Sequence, residues 1–456
     1  MYNPTALQPH FEALALGHKT TPLSFAWLMG QLKMHLSLLP ETRSGTNTRY
    51  SVYDAAASAF SVFFMQHPSF LAHQRAMQEQ KGQNNVESLF GVSQIPSDNQ
   101  IRNILDPLNP TALELLFTQI FNGFKNSAHM TSMRTINNTL LLPFDGVQYF
   151  SSTEIHCSQC STREHKDGHV SYQHQAILPC LVAPQCETVI SLMPIFITPQ
   201  DGDEKQDCEI KAAKRWLEQY GEQVLPLDIT FLGDDLYAHQ PFCEEILSRN
   251  GHFIFTAKEE SHKILYEWVN ELKNIGKAGS ITQERRHGKK KYYDTYHFIN
   301  AVPLKDGDAG LLVNWCERIT LHEDKIISRH AFITDHLITE DNVALVIECG
   351  RARWKIENEN HNTLKNHGYH IMHNYGHGEQ FLAQTLLTLN ILAFLTHTLL
   401  HLFDDVYLAI RKKLGTRQKF FESIRVLTEF LCFKSWSHLI YFMAQQLKIV
   451  LSPNSS

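Results

Sequence analysis

The sequence predicts an α/β fold: a mixed sheet flanked by helices, with a mainly β insertion and helical regions at both ends. Three observations lead there. Apolar residues recur at helical spacing through residues 1 to about 135. From about residue 137, strand-length apolar runs and amphipathic stretches follow in the order strand, strand, strand, helix, strand, helix, strand. After a mainly β block from about 260 to 338, helical periodicity returns and persists to the C-terminus.

Length and composition agree with this division. A chain of 456 residues exceeds one compact core, and 43% hydrophobic with 11% aromatic residues lies well outside the disordered range. The formal net charge of -6 does not by itself favour a nucleic-acid partner, although a local basic surface suffices for one. Nine cysteines, an odd number, and an N-terminus without a basic-then-apolar leader point to a reducing cytoplasm, not a secreted disulfide framework. The apolar run beginning at Phe381, "FLAQTLLTLNILAFLTHTLLHLF", is long enough to cross a bilayer. Its Gln384, Asn390, threonines and two histidines instead suggest a buried helix, and no membrane partner is expected.

The elements follow in order. "SVYDAAASAFSVFFMQHPSFLAHQRAM" and "PTALELLFTQIFNGF" are helical, and Pro96 and Ser97 mark the start of a short amphipathic helix between them. That arrangement admits a helix-turn-helix or an ordinary helical bundle. "NTLLLPFDGVQYF" is a strand ending near Asp145, and "SYQHQAILPCLVA" and "ETVISLMPIFIT" are the next two. "DCEIKAAKRWLEQYGEQV" is a helix capped by Asp207, with Ile210, Ala213, Trp216 and Leu217 on one stripe. A fourth strand in "DITFLGDDLYAHQPF", a helix in "PFCEEILSRN" and a fifth strand in "HFIFTAK" complete the series. "DGDEKQD", residues 201 to 207, lacks the glycine and terminal glutamate of a calcium loop and reads as a solvated loop and helix cap.

In a sheet assembled in that order the first strand lies centrally and the fourth beside it, so acids at their ends, Asp145 and Asp234, can face each other. Carboxylates that close repel unless a cation lies between them. A helix packed across the sheet can supply a third: Arg353, Glu357, His361 and Lys365 fall at four-residue steps, within about 120 degrees on one helix face. Such a triad could hold two hard divalent cations that clamp a phosphodiester.

"FDGVQYF", "LGDDLYAHQPF" and "RARWKIENENHNTLK" resemble the three acidic motifs of IS4-like DDE transposases, which have an RNase H-like core; the likeness covers roughly residues 137 to 370. The resemblance implies Asp145, Asp234 and Glu357 as catalytic metal ligands, with two magnesium or manganese ions. Asp234 is preferred over Asp235 because the second motif of the group resembles Asp-x-x-Tyr, as in Asp234 and Tyr237. Arg353 and Glu357 match the helix motif; Gly350 stands where the group has Tyr and Leu364 where it has Lys, with Lys365 one position late.

The implied organisation is a helical DNA-binding region over 1–135, an RNase H-like core over 136–258, a β-rich insertion over 259–340, the acid-bearing helix of the core over 341–378, and a helical region over 379–456. The implied activity is cleavage at transposon ends and strand transfer into target DNA, by a bacterial, nucleoid-associated protein that pairs two terminal inverted repeats as a homodimer. A nuclease of the same fold without strand transfer, or a catalytically inactive DNA-binding relative, are the alternatives.

Other constellations remain. Cys157, Cys160, His165 and His169 have zinc-like spacing, with His174 as an alternative fourth ligand, against the simpler reading of a polar loop. His367, His370, His373 and His377 would spread around a helix, which favours phosphate contact or packing over a dedicated metal site. Two basic runs suit DNA phosphates: Arg285, Arg286, Lys289, Lys290 and Lys291, and Arg411, Lys412, Lys413, Arg417, Lys419 and Arg425. Arg353, His361 and Lys365 are further DNA-contact candidates, and Trp315 is a candidate for stacking on an unpaired base.

Overall fold

The structure, a computed structural model, describes residues 22–450 apart from 40, 42, 44–47, 80–83, 200–208 and 308. The acidic run 201–207 with the Asp207 cap, the first residues of the chain and its polar tail lie outside the described residues.

Four N-terminal helices are used below: α1 (Phe25–Ser37), α2 (Val52–Met65), α3 (Asp98–Leu105) and α4 (Glu114–Lys125). Their starts follow from local chemistry. Ser51 and Asp54 form a reciprocal capping box on α2, and Ser97 with Gln100 does the same on α3, each satisfying orphan backbone donors worth about 1 kcal/mol.

Thirteen strands come next among the described residues. The principal sheet has seven, in the order β1 (Leu140–Pro143), β8 (Ile229–Gly233), β9 (His252–Thr256), β13 (Lys325–Thr334), β12 (Leu312–His322), β11 (Lys290–Pro303), β10 (Gly279–His287). β1, β8 and β9 run parallel, and the remaining neighbours are antiparallel. A second sheet joins β2 (Gly146–Ser152), β4 (Val170–Ile177) and β3 (Ser161–Glu164), with β7 (Ile195–Ile197) also on β4. β5 (Cys180–Leu181) and β6 (Ile190–Ser191) form a short pair. Helices α5 (Glu209–Val224), α6 (Gln240–Ser248), α7 (Lys263–Asn274) and α8 (Val343–Arg351) flank these strands. This mixed α/β architecture is consistent with an RNase H-like fold.

Several details differ from the sequence reading; "SYQHQAILPCLVA" and "ETVISLMPIFIT", for example, each form two short strands, β4 with β5 and β6 with β7. "NTLLLPFDGVQYF" forms two strands, because the chain leaves the principal sheet after Pro143 and enters the second at Gly146. β1 is the terminal strand of its ladder, held on its far side by a single bridge between Leu141 and Val182. The block after 259 begins with a helix, α7, whose Leu265, Tyr266 and Val269 face inward. Its strands are not a separate sheet: β13 pairs with β9 from Phe332↔Thr256 to Thr334↔Ile254, which extends the core sheet.

The apolar run near the C-terminus is α9 (Leu382–Phe403), followed by α10 (Asp405–Leu414), α11 (Arg417–Phe430) and α12 (Trp436–Gln446). α9 is the one described helix long and apolar enough to cross a membrane, and here it is buried on nearly every face. Several of its polar groups find partners inside the protein: the Asn390 amide donates to the Tyr369 carbonyl at 2.7 Å and the Thr385 hydroxyl to the Leu108 carbonyl at 2.6 Å. α2 packs along α9, and Phe25 of α1 stacks on Trp436 of α12 at 4.7 Å. The N- and C-terminal helices therefore share one core as a bundle.

Candidate functional site: converging carboxylates and a Cys/His cluster

The register of β1 on β8 brings the first two acids together. Leu140 pairs with Ile229 and Pro143 with Leu232, and the Phe144 amide donates to the Leu232 carbonyl at 2.9 Å. Asp145 and Asp234 follow the two strand ends and lie near enough for the Asp234 charge to push Asp145 up. Gly233 ends β8 where Tyr237 folds back over it; an added Cβ would meet Tyr237 at 2.8 Å. The amide of Leu236 donates to the Asp234 carboxylate at 2.9 Å and fixes the turn. Asp235 is engaged elsewhere, accepting from the Lys258 amide at 2.6 Å with His262 at 3.3 Å. This leaves Asp234 as the acid facing Asp145.

The third acid comes from an irregular helix. After α8 the chain turns at Ala352 and Arg353, and Ile356–His361 is π-helical, leading into the short helix Asn362–Asn366. Such π segments concentrate at functional positions because they shift one side chain out of regular register. Glu357 lies in it, exposed, with the Arg353 guanidinium 2.7 Å away. The same guanidinium lies 3.4 Å from Asp145, so one arginine bridges the two acids. The His361 imidazole also reaches Asp145 at 3.4 Å. Burial, with Lys365 and Arg353 nearby, pushes His361 down to about 3, so it meets Asp145 as a neutral ring.

A fourth carboxylate, Glu209, was not singled out from the sequence. It begins α5, accepts the Gly146 amide at 3.0 Å and the Tyr237 hydroxyl at 2.6 Å, and burial raises it above the usual carboxylate range. A side chain at Gly146 would meet Glu209 at 2.5 Å, so that glycine permits the approach. The only hint in the sequence is that Glu209 lies within the span, roughly residues 137 to 370, over which the family likeness extends. Asp145 feels all of these groups. Burial is the main cause that raises it to about 7; Arg353 pulls it down, while Glu209, Glu357 and Asp234 push it further up. The three expected acids do not have ligand atoms all within 4.8 Å of one another, a condition that two other sets of described side chains meet.

Positions where this chain departs from the helix motif of the DDE group are explained by packing. A Cβ at Gly350 would meet the Phe332 ring at 2.7 Å, so no tyrosine fits there. Leu364 is fully buried, whereas Lys365 is only half-buried and sits close enough to influence His361.

Several binding expectations require correction. Trp315 is fully buried, edge-on to Tyr266 with the Lys273 ammonium 4.5 Å above its ring, so it cannot stack on a base. It is core because its face of β12 packs under α7. Of the C-terminal basic run, three arginines serve the bundle. Arg417 donates to the Tyr369 hydroxyl at 2.9 Å, Arg425 to the Gln66 carbonyl at 3.1 Å, and Arg411 lies over Phe420, half-buried and lowered by that burial. Lys412, Lys413 and Lys419 are exposed.

Arg285, Arg286, Lys289, Lys290 and Lys291 are exposed on the β10–β11 hairpin. Part of their charge is offset locally, by Asp294 on Arg285 and by Glu284 on Arg286 and Lys291. A groove adjoins Asp234, bordered also by Lys258, Arg329, Arg351, Arg353 and the exposed Trp354.

The Cys/His ligand set also changes. His165 and His169 stack on each other at 4.0 Å in the β3–β4 turn, where His165 contacts Ser171 at 2.8 Å and His169 contacts Asp167 at 2.5 Å. The turn holds them away from the thiols. Cys157 and Cys160 instead converge with His174 of β4 and His377 from the loop before α9. His367, His370 and His373 are exposed and do not join them.

No curated protein matches the chain. Residues 197–395 match the family model described as the transposase DDE domain, a span that contains Asp234 and Glu357 and begins after Asp145, and this supports a DDE transposase family for the chain.

Proposed function

We propose that the protein is an IS4-like DNA transposase that cuts DNA at the terminal inverted repeats of a mobile element and transfers the freed 3′ hydroxyl into target DNA, with Asp145, Asp234 and Glu357 as its catalytic acids. The observation that carries this reading is the convergence of acids from the ends of β1 and β8 and from the π-helical segment around one arginine, with Asp145 raised to about 7. An all-oxygen donor set of half-buried and exposed carboxylates suits magnesium or manganese. Two such ions held by the three acids would polarise the attacking oxygen and offset charge on the leaving oxygen of the scissile phosphodiester.

The chain's own side chains account for the rest. Arg353 spaces Asp145 and Glu357 and is a permanent cation placed for a phosphate oxygen. Neutral His361 packs behind Asp145 and limits water on its inner side. Glu209, pinned by Gly146 and Tyr237, positions the turn that carries Asp145 and adds negative charge that strengthens cation binding. Lys258, Arg351 and Trp354 line the groove where DNA would approach, and the β10–β11 hairpin offers a second phosphate-binding face. Synapsis of two element ends calls for a homodimer acting on chromosomal DNA in the bacterial cytoplasm.

The test is metal-dependent cleavage and joining on duplexes carrying the inverted repeats that flank the encoding locus, with Asp234→Asn as the control. Cleavage and joined product that vanish in the variant support the proposal. Cleavage without joining indicates a nuclease, and binding without cleavage indicates a catalytically inactive DNA-binding relative.

A further inference from the structure

Away from the carboxylates, four soft and borderline donors meet at one point. The Cys157 and Cys160 sulfurs are 3.9 Å apart. The His174 Nε2 lies 3.6 Å from Cys157 and 3.5 Å from Cys160. The His377 Nε2 lies 3.3 Å from Cys160 and 3.0 Å from the His174 Nε2. These are five of the six edges of a four-donor cluster whose ligand atoms all lie within 4.8 Å of one another. With zinc–sulfur bonds of about 2.3 Å and zinc–nitrogen bonds of about 2.0–2.1 Å, a tetrahedral site requires sulfur–sulfur, sulfur–nitrogen and nitrogen–nitrogen separations of about 3.8, 3.5 and 3.4 Å. A disulfide would need the sulfurs about 2 Å apart, far closer than they are.

The surroundings are arranged for metal binding too. Cys160, His174 and His377 are buried and Cys157 is half-buried, so four protein donors close the site with no open position. The His377 Nδ1 donates to the Gly378 carbonyl at 2.9 Å, which leaves the Nε2 lone pair aimed at the cluster. Tyr149 stacks nearly parallel on His174, and the Phe150 ring lies 4.6 Å from that of His377, so both imidazoles are held by aromatic walls.

We propose that Cys157, Cys160, His174 and His377 bind one structural zinc ion, which fastens the β2–β4 sheet to the segment linking the acid-bearing helix to α9. Binding deprotonates both thiols and releases two protons to solvent. The position gives the ion a purpose. β2 begins at Gly146, immediately after Asp145, and pairs with the strand that carries His174. His377 follows the helical segment that carries Glu357, and the backbone just beyond it is clamped by Asp106, which accepts the Glu379 and Gln380 amides at 3.0 Å each. One ion therefore ties together the two parts of the chain that present Asp145 and Glu357. This proposal does not depend on the transposase reading, since it concerns a separate donor set.

The experiment is metal content and cobalt substitution of the full chain. Purified protein passed through chelator-washed gel filtration should carry about one zinc per chain. Cobalt(II) exchanged into it should give tetrahedral ligand-field bands and thiolate-to-cobalt charge transfer. His165→Ala and His169→Ala should keep that spectrum, and His377→Asn should lose it. His377→Cys, which restores a fourth donor, should retain the ion with charge transfer about 1.5-fold stronger, as three thiolates replace two. Wild-type protein that binds neither zinc nor cobalt, a Cys157–Cys160 disulfide in its place, or an unchanged spectrum in His377→Asn would overturn the proposal. Because the wild-type spectrum is itself decisive, a variant that fails to fold does not blunt the test.

Discussion

The Arg353 guanidinium reaches the Asp145 carboxylate at 3.4 Å, joining the turn after β1 to the helical segment that carries Glu357. Glu357 receives the other arm of the same guanidinium at 2.7 Å. In the absence of a divalent ion, one fixed positive charge thus sits among several carboxylates, too little to offset their burial and mutual repulsion.

Removing any one of the proposed acids should stop the chemistry while leaving the fold intact. Asp145→Asn, Asp234→Asn and Glu357→Gln are each expected to slow cleavage by about 10³-fold or more, as loss of several kcal/mol of charge stabilisation implies. Gel-shift affinity for the same duplex should change by less than about tenfold. Normal cleavage by any one of them would remove that residue from the site.

Stability of the cation-free protein should fall with rising pH in a defined window. Asp145 holds its proton up to about 7 when folded and to near 3.8 when unfolded, so between these values the folded state binds the extra proton. Stability contributed by that proton is present at the acid end, is lost as pH rises through the window, and is fully lost above it. Asp145→Asn should remove this dependence and melt above wild type at pH 8 without magnesium, and added magnesium should narrow the difference. Melting temperatures measured across pH with and without magnesium check this.

Glu209 should act through the metal. Glu209→Gln is expected to weaken magnesium affinity by about 10–100-fold, with a smaller loss for Tyr237→Phe, which removes only the hydroxyl that holds it. The readout is the magnesium concentration for half-maximal cleavage. A loss of rate that saturating magnesium does not restore would instead mark Glu209 as structural.

Two tryptophans should separate cleanly. Trp315→Ala empties a fully buried position and should cost about 3–5 kcal/mol of stability. Trp354→Ala, exposed beside the groove, should leave melting nearly unchanged and weaken binding to DNA with unpaired bases by about 1–3 kcal/mol. Calorimetry and fluorescence titration distinguish the outcomes.

The basic hairpin should announce itself through salt. Replacing Lys289, Lys290 and Lys291 together by Ser should reduce the slope of log affinity against log salt by about 2–3 and weaken all duplex sequences alike. An unchanged slope would make the hairpin a solvated edge.

The sequence by itself determined the alternation of strands and helices, the capped start of α3, and the placing of Asp145 and Asp234 near strand ends, because these follow from local periodicity and from side chains acting within a few residues of themselves. It also set Arg353 four residues before Glu357, and the two side chains meet. Tertiary structure alone decided which distant groups meet. Glu209 reaches Gly146 across 63 positions and His377 reaches Cys160 across 217, and no periodicity or spacing encodes either encounter. The same holds for burial: Trp315 and Arg411 look like binding residues until α7 and the helical bundle close over them. Likewise, β13 joined β9 to merge insertion and core into one sheet. The physical reason is that hydrogen-bonding and apolar surfaces specify what kind of neighbour they need, while the path of the whole chain specifies which neighbour arrives.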